Sequence, residues 1–336
     1  MNPEFLSVLR SPRTGEAFDL DVQAATSNGS VIDGALVTPS GERWPIVAGV
    51  PRFAGDQSSS VRSFGHEWHR WARTQFESEN VGRPMAGHTK RMWEEICEPR
   101  RDLDGALIVD FGCGAGRFID VLRTRGARAI GLELSSAADV ARRNFADDPN
   151  VLIVQGDLLN PPFAHRVFDG GFSIGVLHHT PDPATGVVAL ARVIKEGGWL
   201  ACCVYPRGEF YDYPSVERVR RLQLRLAPVL GYRFASLYSR FAARALAPVL
   251  GRMIAVPVFG SAVAGLQRNW LPFLSLPDPR WAELDIFDAI TPEIATTHSP
   301  EEVEAWLVDA GCEHIHWTPW CPTSAVATVG GPVLHR

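Results

Sequence analysis

Residues 109–118 read VDFGCGAGRF, and no other ten residues of the chain restrict its fold as much. An apolar run over 106–109 leads into Asp110 and then into glycines at alternate positions, Gly112, Gly114 and Gly116. Beyond them Phe118, Ile119 and Leu122 recur at the spacing of one helical face. The pattern predicts a buried strand, a tight turn and a helix N-terminus. Glycine in such a turn lets the backbone bend sharply and approach a ligand with no Cβ in the way. The free N–H groups at the helix end then face a polar or anionic group.

The spacing narrows the ligand. Dinucleotide-binding turns usually read G-x-G-x-x-G, whereas this one reads G-x-G-x-G behind an acid. An acid at the strand tip repels a pyrophosphate and suits the ammonium of an amino acid. Residues 129–133 (AIGLE) predict a second strand ending in Glu133, about where a ribose-binding carboxylate belongs. A third strand, 151–155 (VLIVQ), runs to Gly156 and Asp157, where a carboxylate can accept from an adenine amino group. These acids at successive strand ends, with FDGGFSIGVLHHTPD at 168–182 and EGGWL at 196–200, closely resemble the class I S-adenosylmethionine-dependent methyltransferases. The resemblance runs well over residues 60–205 and more loosely beyond.

That resemblance implies S-adenosylmethionine as cofactor. Asp110 then takes the methionine amino group, Gly112, Gly114 and Gly116 allow close backbone approach, Glu133 takes the ribose hydroxyls and Asp157 the adenine amine. Cys113, Leu134, Leu158 and Phe64 complete the expected cofactor-binding set. For Asp157 an equal alternative is a cap on the turn before Pro161 and Pro162.

The chain holds 336 residues, enough for one large domain with appendages or for two. Its net charge of −5 gives no general field favouring nucleic acid. No uninterrupted apolar stretch reaches the ~20 residues of a membrane span, and the N-terminus lacks the basic and apolar regions of a signal peptide. Six cysteines without a CxxC pair read as reduced, buried thiols in a cytoplasmic protein.

Residues 1–54 predict a small β-rich module with strands at 34–37 and 43–47. LRSPRTG at 9–15 and WPIVAGVPRF at 44–53 resemble a small zinc-ribbon family that includes activator subunits of methyltransferases. In that family paired cysteine knuckles hold the metal. Here Ser11 and Thr14 stand at the first knuckle and no cysteine occurs over 38–41, so a metal-free packing module is expected and no metal site anywhere. Residues 55–60 read as a polar linker, and 55–105 carry linker and N-terminal lid helices, with Phe64, Trp68 and Trp71 at i, i+4 and i+7.

Strand and helix then alternate, with helices expected near 117–125, 135–146 and 184–195 and a fifth strand at 199–205. The fold class that follows is α/β: a Rossmann-like, seven-stranded, mostly parallel sheet with helices on both faces. Its core spans 106–205 and 298–336, interrupted by a helical cap insertion over 206–297 after the fifth strand. The apolar residues of that insertion are expected to line an acceptor pocket, with Arg218, Arg220 and Arg221 at its rim; a homodimer surface is the competing reading.

His178 and His179, after the fourth strand, are candidates for the general base, with Tyr211 as a further catalytic candidate. One of the two histidines serves equally well as a loop-holding group. His314 and His316 are expected on one strand face with no coordinating partner. The function expected is methyl transfer to a small, partly apolar metabolite by direct displacement. A methyltransferase acting on tRNA or protein and a nicotinamide-dependent oxidoreductase are the alternatives; the acidic balance disfavours the first and the glycine spacing the second.

Overall fold

A seven-stranded sheet forms the centre of the computed structural model, which describes residues 1–54, 61–97, 102–256, 258, 260–271 and 276–331. The expected linker at 55–60 lies outside the described residues. Before this sheet come a four-stranded antiparallel sheet and two helices. The small sheet comprises β1 (Asp19–Ala25), β2 (Val31–Val37), β3 (Arg43–Val47) and β4 (Val50–Pro51). The helices are α1 (Arg62–Arg70) and α2 (His88–Cys97). The main sheet then runs through β5 (Leu107–Phe111), α3 (Arg117–Arg123), β6 (Arg128–Glu133), α4 (Ala137–Asn144), β7 (Val151–Gln155), β8 (Phe168–Ile174), α5 (Pro183–Val193) and β9 (Ile194–Cys203). Five helices follow: α6 (Pro214–Leu230), α7 (Arg233–Phe241), α8 (Ala247–Ile254), α9 (Gly260–Trp270) and α10 (Pro279–Ile290). The chain closes with α11 (Pro300–Asp309), β10 (Cys312–Trp317) and β11 (Ser324–Val329).

Strands β5 to β9 are mutually parallel, and β11 runs antiparallel to both β9 and β10. The chain leaves β5 toward β6 and β7, then returns to place β8 on the other side of β5. The strand order therefore reverses between β5 and β8, the place where open α/β sheets bind ligands. Alternation along β5 explains its burial: Val109 and Phe111 join the core on one face, Ile108 the core on the other. With helices covering both faces, these strands read as nearly continuous apolar runs.

The N-terminal module closes an edge of the main sheet. Phe53 N–H donates to Gln155 O at 2.7 Å, Arg10 N–H to Pro162 O at 2.9 Å and Ala164 N–H to Val8 O at 2.8 Å. Phe5, Leu9, Leu36 and Ile46 share one buried cluster with Phe111, Phe163 and Phe168. The module thus covers the edge strand β7, whose free backbone groups would otherwise invite pairing. At the positions compared with zinc knuckles, hydroxyls and carboxylates bond one another. Ser11 Oγ donates to Glu42 Oε2 at 2.5 Å, Thr14 Oγ1 to Glu16 Oε2 at 2.9 Å, and Ser40 Oγ also to Glu16. The turns keep their form through Gly15 and Gly41, both at positive φ.

Three sequence expectations need correction. Strand β1 was absent from them because its residues are mostly exposed, so no apolar alternation marks it. Trp71 falls just past α1, whose C-cap it forms. His314 and His316 do not share a regular strand face: the register with β11 shifts between Glu313 and His316, and His314 has φ +50.

Candidate active site

The glycine turn after β5 is built as its sequence requires. Gly112, Gly114 and Gly116 have φ of +86, +53 and +92, a region that L side chains rarely adopt. Space forbids side chains as well. A Cβ on Gly112 would run into Val176, one on Gly114 would lie 2.8 Å from Trp68 Nε1, and one on Gly116 would strike Phe145. The turn is fixed from both sides: Gly112 N–H and Cys113 N–H donate to Leu132 O at 2.7 and 3.1 Å and Gly116 N–H to Cys113 O at 2.8 Å, while Val176, Trp68 and Phe145 pack against the glycines.

Glu133, at the end of β6, is held from three directions. Its Oε2 accepts from Gly114 N–H at 3.0 Å, and its Oε1 from Ser135 N–H at 2.8 Å and Ser135 Oγ at 2.5 Å. Asp110 sits at the end of β5, 2% exposed, and its Oδ2 has no hydrogen-bond partner among the described residues. Burial pushes its carboxyl well above the usual range, while the Arg117 charge pulls the other way. An orphaned, buried carboxylate oxygen beside a glycine turn fits an ammonium.

These residues border a cavity of about 680 Å³ at the switch point. Of the sequence-predicted set, Phe64, Gly112, Cys113, Gly114, Glu133, Leu134, Asp157, Leu158, His179 and Tyr211 line it. Asp110 and Gly116 lie behind the lining, Gly116 as the residue before α3. Asp157 is at the exposed rim and its Oδ1 accepts from Leu159 N–H at 2.9 Å, which is the turn-capping contact. Helix α1 rests directly on this region. Gly65 packs against Ser136, Trp68 against Gly114, and the Phe64 ring lies 5.0 Å from that of His179.

The two adjacent histidines have opposite surroundings. His178 is fully buried and does not line the cavity. Its Nδ1 accepts from Tyr205 N–H at 3.2 Å and its carbonyl oxygen from Thr296 N–H at 3.0 Å. Burial holds its pKa well below 6.5. These contacts are the ones expected of the loop-holding alternative. His179 lines the cavity; its Nδ1 lies 2.8 Å from Ile294 O. A carbonyl can only accept, so Nδ1 carries the proton and Nε2 presents a lone pair. That Nε2 has no partner among the described residues, and burial lowers the ring's pKa below 6.5.

Several lining residues escaped sequence reasoning because tertiary packing delivers them. Helix α10 contributes Trp281, Leu284, Asp285 and Asp288, and α1 contributes Glu67. Asp285 is pushed up to about 7 by burial and by Asp288. Glu67 is held well above the usual carboxylate range by burial, then by Asp288. Tyr205 donates to Asp288 Oδ2 at 2.5 Å and stacks on Tyr211. The apolar residues of α6 to α9 do not line the cavity as expected; many point outward. Arg221 pairs with Glu217, and Arg218 donates to Asn269 O at 2.7 Å rather than standing at the cavity rim. No group of three or more ligating side chains able to hold a metal ion occurs among the described residues.

Comparison with known proteins agrees with this geometry. A family model described as "Methyltransferase domain" matches residues 109–202. The ubiquinone biosynthesis O-methyltransferase of Alkalilimnicola ehrlichii is 34% identical over 99 residues, 29% of this chain and 40% of that protein. The demethylmenaquinone methyltransferase of Corynebacterium kroppenstedtii is 33% identical over 122 residues, 36% of this chain and 52% of that one. The match thus spans about half or less of these relatives. The crystal structure of an S-adenosylmethionine dependent methyltransferase from Mesorhizobium loti is 24% identical, with a TM-score of 0.32 over 40% of this chain and 59% of that one. Residues 109–202 of the chain thus match a methyltransferase domain.

Proposed function

We propose that the chain moves a methyl group from S-adenosylmethionine to a small, partly apolar acceptor by direct displacement, with His179 removing the acceptor's proton. The observation that carries this reading is the fixed tautomer of His179, a residue of the cavity lining: its Nδ1–H is held by Ile294 O, which leaves the Nε2 lone pair without a partner among the described residues. When bound, the cofactor supplies a methyl group already made electrophilic by its sulfonium, which leaves the protein to align the acceptor and manage its proton. Glu133, oriented by Gly114 and Ser135, receives the ribose hydroxyls. Asp110 receives the methionine ammonium, and Gly112, Cys113, Gly114 and Gly116 keep backbone close to it. Leu134, Asp157 and Leu158 border the adenine, and Phe64 covers the cleft from α1. A ring pKa below 6.5 keeps His179 neutral and able to accept a proton at pH 7. Tyr211, stacked on Tyr205, lies on the acceptor side.

Leu284, Trp281 and Trp320 give the acceptor end an apolar wall, which supports a partly apolar substrate. The names of the curated relatives, both quinone-biosynthesis methyltransferases, point the same way. In this reading residues 206–297 act as a cap whose α10 closes the cavity, the six reduced cysteines suit a cytoplasmic location, and neither a nucleic-acid partner nor a homodimer is needed. The test is incubation with methyl-tritiated cofactor and a fractionated cell extract. Label entering small organic-soluble products supports the reading; label entering only RNA or protein overturns it.

A further inference from the structure

Charge is unevenly distributed along this chain. Residues 213–271 contain nine arginines and one acid, Glu217, a net charge of +8 in a protein whose total is −5. The rest of the chain therefore stands at −13. Within the segment Arg218, Arg221, Arg225, Arg233, Arg240, Arg244, Arg252 and Arg268 are exposed. Arg221 and Arg244 pair with Glu217 and Glu283, whereas Arg225, Arg233, Arg240, Arg252 and Arg268 form no ion pair among the described residues.

The same helices expose large apolar side chains. Val229 is 85% exposed, Trp270 70%, Leu237 68%, Phe241 59% and Val249 53%. In the run from α7 into α8, Leu237, Phe241, Val249 and Met253 stand four or eight residues apart, with the exposed Ala245 between them. Neighbours four apart lie near one another on the helix surface, and all four side chains are exposed. The π-turn at Ala242–Leu246, which joins the two helices, continues the run without a break. On α9, Leu266 and Trp270 are four apart, and the Arg218 guanidinium lies over the Trp270 ring at 5.3 Å. The inner sides of these helices are accounted for: α6 and α7 pack on α10, where Val216, Ala235, Leu284 and Phe287 are buried together.

We infer that the outer face of α6–α9 docks on the surface of an anionic lipid bilayer. Arginine beside exposed Trp, Phe and Leu on short helices is the composition that settles in a headgroup layer, apolar groups inward and guanidinium groups on the phosphates. Charge complementarity selects this occupant. A second copy brought up by a two-fold axis would set these arginines against one another. An RNA would satisfy the arginines but leave Leu237, Phe241 and Trp270 in water. No helix of the described residues is long and apolar enough to cross a membrane, and the docking proposed uses only the outer face of these helices. The consequence for substrate, an acceptor dissolved in or gathered at the membrane, rests on the proposed methyl transfer. The docking itself does not.

Sedimentation of the full chain with vesicles tests it, using phosphatidylglycerol mixed equally with phosphatidylcholine, and phosphatidylcholine alone. Binding should be roughly tenfold or more stronger to the anionic vesicles and should weaken as salt rises. Arg240→Glu with Arg252→Glu should lower anionic-vesicle binding by roughly tenfold or more. Phe241→Ser with Trp270→Ser should weaken what remains at high salt. None of these four residues lines the cavity, so both double variants should bind S-adenosylhomocysteine as the parent does. That readout also shows that they fold. The inference is overturned by equal or negligible binding to both vesicle types, by unchanged binding in both double variants, or by retention on mixed tRNA without vesicle binding. A concentration-dependent dimer that binds no vesicles overturns it too. Failure of the parent to bind S-adenosylhomocysteine would remove the methyltransferase reading and leave the vesicle result to stand by itself.

Discussion

His178 and His179 differ by one position and by everything that matters for proton transfer. The ring that accepts a backbone N–H keeps no lone pair free; the ring that donates to a carbonyl does. His179→Ala should therefore lower turnover by ~10²–10⁴ with cofactor affinity unchanged, as steady-state kinetics beside calorimetry would report. The wild-type rate should fall only when the pH drops through the lowered pKa of that ring, below 6.5, because protonation removes the acceptor lone pair. Asp285 offers a second test at this scale. Its folded-state pKa, about 7, lies above the ordinary aspartate value of 3.8, so the folded protein holds this proton where the unfolded chain has lost it. The carboxyl thus costs nothing at low pH, costs progressively more as pH rises from about 4, and levels off above about 7. Asp285→Asn should raise the melting temperature above pH 7, by a stability increment on the order of 2–4 kcal/mol. That advantage should vanish near pH 4; a gain equally large at pH 4 would contradict the assignment.

Among the elements, those defined by their own local chemistry were legible from sequence and those defined by partners were not. The β5 turn was readable because three positive-φ positions leave glycine as nearly the only residue type. Helix α11 was readable because Ser299 and Glu302 form a capping box around Pro300. By contrast α10 supplies Trp281, Asp285 and Asp288 to the cavity with nothing in its sequence to say so, since all but a few of its residues are simply buried. Glu67 is hidden for the same reason: it is a buried acid of α1, and only packing brings it to the cavity. The apolar residues of α7 and α8 face outward rather than lining the pocket, because composition reports that such side chains are abundant and not which way they point. Gly114→Ala isolates the turn: a positive φ with a Cβ against Trp68 should cost about 1–3 kcal/mol and release α1 from the cleft, measurable as lower melting temperature and weaker cofactor binding. Deleting 1–54 isolates the N-terminal module. Since Phe5, Leu9 and Ile46 share the main core and the module covers the β7 edge, the truncated chain should be aggregation-prone, with a lower melting temperature. An equally soluble chain with an unchanged melting temperature would show the module to be an independent passenger.

At the scale of the whole molecule, one sheet reversal organises the rest. Strands β5, β6 and β7 bring Asp110, Glu133 and the turn at Asp157 to one end of the sheet; β8 and its loop bring His179; the helices after β9 return α10 to close the space. The N-terminal module seals the far edge, and the outer helices present arginine and apolar groups away from the cavity. The claim on which all of this rests is that the cavity holds the methyl donor. Calorimetric titration of the full chain with S-adenosylhomocysteine should give one molecule per chain. In Glu133→Ala the affinity should fall by the loss of hydrogen bonds to a charged group, roughly 1.5–3 kcal/mol. No binding, or binding unchanged in that variant, would contradict it, most plainly if a nicotinamide dinucleotide bound in its place.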